Sequence, residues 1–304
     1  MNAIERDFYE ERRRKWRRSS FLWGFGIAIV LSLIVGAALR LETGQPTGPH
    51  IAHVAIRDVI YTDIDREEML ADLRDSDDAR ALILEIDSPG GTTVGAEILY
   101  ELLREIAEDR PVVAVMGDVA ASGGYITAIA ADHIIARGNT ITGSIGVIME
   151  YPDVTELLDR VGVQFRTVRS SPLKAEPAPY RETSPEARAV QEAIIADSYA
   201  WFRDLVASRR RLQGDGLAAV VDGRILTGRM ALQDGLVDAL GGPDDALTWL
   251  ESQDEALKNL PVLSWELPDE DTGPLGIFGR ISGIGDSLQR ISNQSRPRLL
   301  SILN

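Results

Sequence analysis

Residues 21–39 read FLWGFGIAIVLSLIVGAAL, nineteen consecutive positions without a charge. As a helix rising 1.5 Å per residue the stretch is about 28 Å long, close to the roughly 30 Å hydrocarbon core of a bilayer. It divides the chain into a piece before the membrane and a piece after it. Arg12, Arg13, Arg14, Lys15, Arg17 and Arg18 crowd its near side, so the positive-inside rule keeps the N-terminus in the cytoplasm and exports everything after Arg40. A cleaved signal peptide competes with this reading, with Gly36, Ala37 and Ala38 offering small residues for cleavage. The apolar core of a signal peptide, however, spans only about 7–15 residues. The expectation is a retained, single-pass signal-anchor with the folded part outside the cytoplasmic membrane.

Charge separates along the same line. Residues 1–20 hold seven basic and four acidic side chains, and the remainder holds 25 basic and 43 acidic. A body so acidic argues against a nucleic-acid groove as the main function. With no cysteine, disulfides, thiolate nucleophiles and cysteine-based metal sites are excluded. Three histidines, His50, His53 and His133, without an H-E-x-x-H spacing, leave little for a metal centre or a Ser-His-Asp triad. His133 reads as a strand residue, because nothing in the sequence places a carboxylate behind it.

The chain divides into a basic tail (1–20), the anchor (21–40), a Pro/Gly linker (41–49), a folded body (50–267) and a C-terminal tail (268–304). In the body, β-like runs near 51–60, 81–86 and 112–116 alternate with helical patterns near 66–73 and 94–106. Such alternation predicts βαβ units and a parallel sheet. Further strands are expected at 133–136, 145–148 and 164–168, and helices after Ser122 and at 154–161. A long helix at 186–211 has Ser184 as N-cap and Pro185 in its first turn. In the tail, Ile277, Ile281, Ile284, Leu288 and Ile291 recur at helical spacing. Docking on a neighbour, lying on the membrane and staying flexible all fit that stripe.

Two glycine-rich turns follow apolar strands. Asp87-Ser88-Pro89-Gly90-Gly91 can turn sharply and aim backbone N–H groups at one point, although an ordinary strand-to-helix turn has the same composition. In Gly117-Asp118-Val119-Ala120-Ala121-Ser122-Gly123-Gly124-Tyr125 the serine is uncrowded, as a nucleophile would be, although a serine at a helix start is also an ordinary N-cap. A base has few candidates. Of 32 cationic residues only three are lysines, Lys15 in the tail, Lys258 near the domain end, and Lys174. Arginine does not deprotonate in proteins, whereas a desolvated lysine can serve as a general base. A solvated surface lysine is the simpler account of Lys174.

S-P-G-G at 88–91, M-G-D-V-A-A-S-G-G-Y at 116–125, T-G-S-I-G-V-I at 142–148 and D-G-R-I-L-T-G-R-M-A-L-Q-D-G-L-V-D at 222–238, taken in order, resemble the bacterial signal peptide peptidase A family over roughly residues 51–250. One catalytic unit behind one anchor resembles its short form. The resemblance implies an α/β fold of the Clp-protease/crotonase type, a spiral of β-β-α units preceded by one N-terminal transmembrane helix. It also implies Ser122 as nucleophile, Lys174 as general base, Ser144 as the serine that orients the lysine, and Gly90 and Gly123 as oxyanion donors. Pro172 and Pro177 depart from the commoner family pattern around the lysine.

By the same resemblance the activity is a serine endopeptidase that needs no cofactor and cuts remnant signal peptides and other apolar peptides at the membrane's outer face. Serine and lysine come from adjacent protomers of a homo-oligomeric ring. The rival readings are an NfeD-type membrane Ser-Lys protease, a crotonase-like acyl-CoA hydratase and a catalytically inactive membrane-tethered scaffold.

Overall fold

The computed structural model describes residues 48–266 and 300–302. The uncharged run 21–39 and the apolar stripe from Ile277 to Ile291 lie outside them. Among the described residues no helix is long and apolar enough to cross a membrane.

The body begins with strand β1 (His50–Arg57), helix α1 (Ile64–Asp75), β2 (Ala79–Ser88), the short β3 (Gly90–Thr92), α2 (Thr93–Asp109), β4 (Val112–Ala121) and α3 (Gly123–Ala128). It continues through β5 (His133–Ala136), β6 (Ile141–Gly143), α4 (Thr155–Arg160), α5 (Pro185–Arg210) and α6 (Gly214–Val220). β7 (Ile225–Thr227), α7 (Gly228–Gln233), β8 (Ala239–Leu240), α8 (Pro243–Gln253) and β9 (Val262–Ser264) follow, and β10 (Leu300–Ile302) is the last described segment.

The sheet runs β7-β6-β4-β2-β1-β9, and β5 and β8 branch from β4. All its pairs are parallel except β6 with β7. Its inner strands are apolar on both faces, as burial between two helical layers requires. Leu82, Leu84 and Ile86 of β2 face a large core with Leu99, Leu103, Tyr125 and Phe202. Ala81 and Ile83 face a smaller one with Val113, Val115, Leu250 and Leu257. Trp265, just after β9, donates from its indole nitrogen to His50 Nε2 at 2.9 Å, and His50 Nδ1 donates to Gly48 O at 2.8 Å. That buried pair ties the start of β1 to the end of the sheet's outer strand.

Helix termini follow local chemistry. Ser184 accepts from Ala187 N and Pro185 opens α5, as the sequence predicts. Two expected strands are absent. The ladder near Ser144 is made by residues 141–143 instead of 145–148, because Gly143 (φ 79°) and Ser144 (φ 51°) turn the chain out of the sheet. Residues 164–168 form no strand, and Phe165 and Val168 are exposed. There the apolar pattern marks an uncovered surface.

β4 gives the sheet its shape. Its first half, from Val113 to Met116, pairs with β5, and its second half, from Val119 to Ala121, pairs with β6. Against β2 the register jumps from Ile86↔Met116 to Ser88↔Ala120, leaving extra residues on β4 at the bend. Asp87 fills the bend by accepting from Val119 N at 3.0 Å. Thr140 and Thr142 hydroxyls donate to the carbonyls of Gly117 and Ala120, each at 2.7 Å.

Candidate active site

β4 ends on Ser122. The residue sits at φ 54° and ψ −116°, a left-handed conformation that is costly for a side chain with a Cβ. It occupies the N-cap position of α3, yet its side chain makes no capping hydrogen bond. The ordinary N-cap account therefore fails. Ser122 is 1% exposed. Its own N–H donates to Gly143 O at 2.9 Å, and Ile126 N donates to its carbonyl at 2.9 Å.

The two glycine turns meet beside it, backbone against backbone. A methyl carbon on Gly123 would lie 3.1 Å from Gly91 N and 3.3 Å from Gly90 Cα, and one on Gly124 would lie 2.7 Å from Ser88 O. On Gly91 it would overlap the Ile60 carbonyl. The structure thus brings Gly90 and Gly123 to Ser122, as the motifs predict, but it differentiates the neighbouring glycines. Gly90 (φ 111°) donates its N–H to Ser88 Oγ at 3.1 Å, and its carbonyl accepts from Ile60 N at 2.9 Å. Thr92 N donates to Ile60 O at 2.8 Å. Because alternate residues of an extended chain point opposite ways, Gly91 turns its N–H and C=O to the other edge of β3, beside Gly123. On that edge β10 lies antiparallel, with Ser301 opposite Gly91 and Ile302 opposite Gly90. The partner that distinguishes Gly90 from Gly91, Ile60, is about thirty residues away in the chain.

Ser144 follows the residue that holds Ser122's N–H, and its own N–H donates to Arg224 O at 2.8 Å. The T-G-S motif thereby sets the backbone of Ser144 one residue from the carbonyl that holds the nucleophile candidate. Ser144 opens onto a cavity of about 580 Å³ walled by Ile145, Val147, Ile195, Tyr199 and Ile225.

Lys174 is not part of this cluster within one chain. It is exposed on a turn where its N–H donates to Ser171 O at 3.2 Å. The surrounding excursion carries exposed Leu157, Val161, Val163, Phe165, Val168 and Leu173.

His133 starts β5, opposite Val113, on the order of 30 Å of strand away from Ser122. A carboxylate does stand near it, Asp238 at 3.9 Å. That carboxylate is held by Arg210 at 2.7 Å and by Ile134 N at 2.8 Å, while His133 stacks on Trp249. Burial pushes the His133 imidazole below its ordinary range, against the pull of Asp238. It is a packed strand residue.

A serine in a strained turn between glycine backbones is the geometry of an acyl-transfer nucleophile. Residues 104–257 match the model of peptidase family S49. The chain belongs to this family. The Synechocystis protein slr0021 is 40% identical over 213 residues, covering 70% of this chain and 75% of that protein. The chloroplastic serine protease SPPA of Arabidopsis thaliana is 35% identical over 222 residues, covering 73% of this chain and 32% of that protein. The chain therefore spans about a third of the length of the chloroplast relative. Among solved structures, ClpP1 of Listeria monocytogenes superposes with a TM-score of 0.43 at 16% identity, over 64% of this chain and 92% of that one. As an S49 member the chain is a serine-type protease of the signal peptide peptidase A kind, and the glycine-bounded Ser122 lies inside the matched region.

Proposed function

We propose that this S49 protease is a membrane-anchored endopeptidase in which Ser122 is acylated with Lys174 of a neighbouring copy as general base. The observation that carries the reading is the Ser122 turn. Its side chain does not cap α3, and the backbones of Gly123 and of the Gly90–Gly91 turn meet beside the residue. Gly91 replaces Gly90 as the second oxyanion donor in this reading: the Gly90 N–H is held by Ser88 Oγ, whereas the Gly91 N–H lies on the edge beside Gly123 and opens to substrate when the β10 segment paired there is displaced.

Ser122 Oγ attacks the peptide carbonyl while its proton passes to the neutral Lys174 amine. The tetrahedral oxyanion forms against the Gly91 and Gly123 N–H groups. Its collapse breaks the C–N bond, and the lysine proton goes to the leaving amine. Water then attacks the acyl-serine, giving its proton to Lys174, and as the acyl C–Oγ bond breaks Lys174 returns that proton to Ser122 Oγ. Ser144, one residue beyond the carbonyl that binds Ser122 N, orients the lysine amine.

Two features support a shared site. Lys174 is exposed while Ser122 is buried, and the excursion that carries the lysine presents an uncovered apolar face suited to a second copy of the chain. The run 21–39 and its basic flank support an anchor with the body outside the cytoplasmic membrane. Remnant signal peptides and other apolar peptides released there are the substrates.

Mixing detergent-solubilised Ser122→Ala and Lys174→Ala proteins tests the arrangement. Each alone is inactive, and mixed oligomers recover part of the wild-type peptidase rate. Mixed oligomers that stay inactive would refute the shared site. External protease applied to spheroplasts should digest the body and spare residues 1–20.

A further inference from the structure

The turn that presents Lys174 is built around one carboxylate. The Glu176 side chain is 8% exposed, and its Oε1 accepts from Arg169 Nη1 at 2.6 Å and from Arg181 Nη2 at 2.7 Å and Nε at 3.0 Å. The same two guanidiniums reach the backbone of the turn. Arg169 Nη1 donates to Pro172 O at 2.7 Å and stands 3.4 Å from Lys174 O, and Arg181 Nη2 stands 3.5 Å from Ala175 O. These carbonyls flank Ala175, whose φ of 62° an alanine holds only under constraint. Arg181 also lies over the Tyr180 ring, which stacks on Phe165. The turn is therefore braced from its concave side, leaving the lysine side chain outside the brace.

We infer that Glu176, through Arg169 and Arg181, is a positioning residue that sets the direction in which Lys174 leaves the turn. The inference rests on the reading of Lys174 as the base. Two arginines without Glu176 would repel one another, and neither would stay aimed at carbonyls three residues apart. With the carboxylate between them they form one rigid unit, and a planar guanidinium fork reaches several acceptors at once where an ammonium cannot. Glu176 touches neither substrate nor the reacting atoms, and its effect passes entirely through the lysine. In agreement, hydrogen bonding to Arg169, opposed by burial and reinforced by Arg181, holds its carboxyl below the ordinary glutamate range, so that the brace is charged at neutral pH.

The test uses the full chain in detergent, with peptide turnover and labelling of Ser122 by a serine-directed phosphonate as readouts. Glu176→Gln and, as a second variant, Arg169→Lys should each lower kcat at least tenfold, with KM within twofold of wild type and the oligomer intact. Adding Glu176→Gln to Lys174→Ala should slow the residual labelling no further, because a residue that acts through the lysine has nothing left to act on. Wild-type kcat in both variants overturns the inference, as does a further slowing in the double variant. Loss of the oligomer in both also overturns it and assigns the brace to assembly. If Lys174→Ala itself turns over at the wild-type rate, the reading of the base fails instead.

Discussion

The N–H of Ser122 donates to the carbonyl of Gly143 at 2.9 Å, so the nucleophile is fastened to the residue that precedes Ser144. Two hydroxyl-bearing residues 22 positions apart thus share one hydrogen-bonded junction. The strain of Ser122 is borne by that junction and by the Ile126 N–H that binds its carbonyl.

This strain is measurable. Ser122→Ala and Ser122→Gly should both abolish peptidase activity. The glycine variant should be the more stable of the two by about 1 kcal/mol, as relief of the positive φ outweighs the added freedom of the unfolded chain. Thermal melts of the two proteins check this, and equal midpoints would mean that the turn stores no strain.

Gly91→Ala should cost about 3 kcal/mol and remove activity, since a methyl group there collides with the Ile60 carbonyl in a backbone pairing that cannot yield. Gly216→Ala is the control. It lies in α6 with no atom within 4 Å of the new methyl, so that it should leave activity unchanged and add roughly 0.5–1 kcal/mol.

Asp238 sets an acid limit on the fold. Burial alone pushes its carboxyl up, but the Arg210 hydrogen bond and charge, with Ile134 N and His133, outweigh burial and hold it below its ordinary value. The native state then binds fewer protons than the unfolded one. The stabilisation is complete above the unfolded value near ~3.9 and is lost as pH falls through the lower folded one. Melting midpoints should fall on acidification below about pH 4. Asp238→Asn should flatten that limb and cost about 3 kcal/mol at neutral pH, because it strands the Arg210 charge.

Residues 300–302 occupy the edge of β3 opposite the one that Ile60 pairs, and any external peptide adding to that edge has to displace them. A tethered competitor acts at an effective concentration of about millimolar. Deleting residues 300–304 should speed phosphonate labelling of Ser122 and tighten binding of an extended peptide inhibitor, both several-fold. Unchanged rates would show that this segment does not compete.

Sequence and structure agree best where local chemistry decides. The apolar run of β2, the Ser184 and Pro185 start of α5 and the two glycine turns are all legible, because each signal lies within a few residues. The meeting of Ser122, Ser144 and the glycines was reachable from ordered family motifs, whereas periodicity alone leads only to an ordinary parallel sheet. Less was legible where partners are remote. Nothing near Gly91 reveals that Ile60 will pair with Gly90 and Thr92 and leave the Gly91 N–H on the opposite edge of β3. Val163, Phe165 and Val168 make a short β-like apolar run but lie exposed, because such a run serves a covered sheet face or an open surface equally. Glu176 looks like one more surface charge until Arg169 and Arg181 close around it.

The change of neighbours along β4 has a mechanical meaning. Its first half is indexed against β5 and its second against β6, and Asp87 locks the bend between them. A slip of one residue in either ladder would reverse every side chain beyond it, and the other ladder forbids the slip. Ser122 therefore stands at the end of a rod gauged twice along its length, so that pulling on a bound peptide loads the sheet before it shifts the nucleophile.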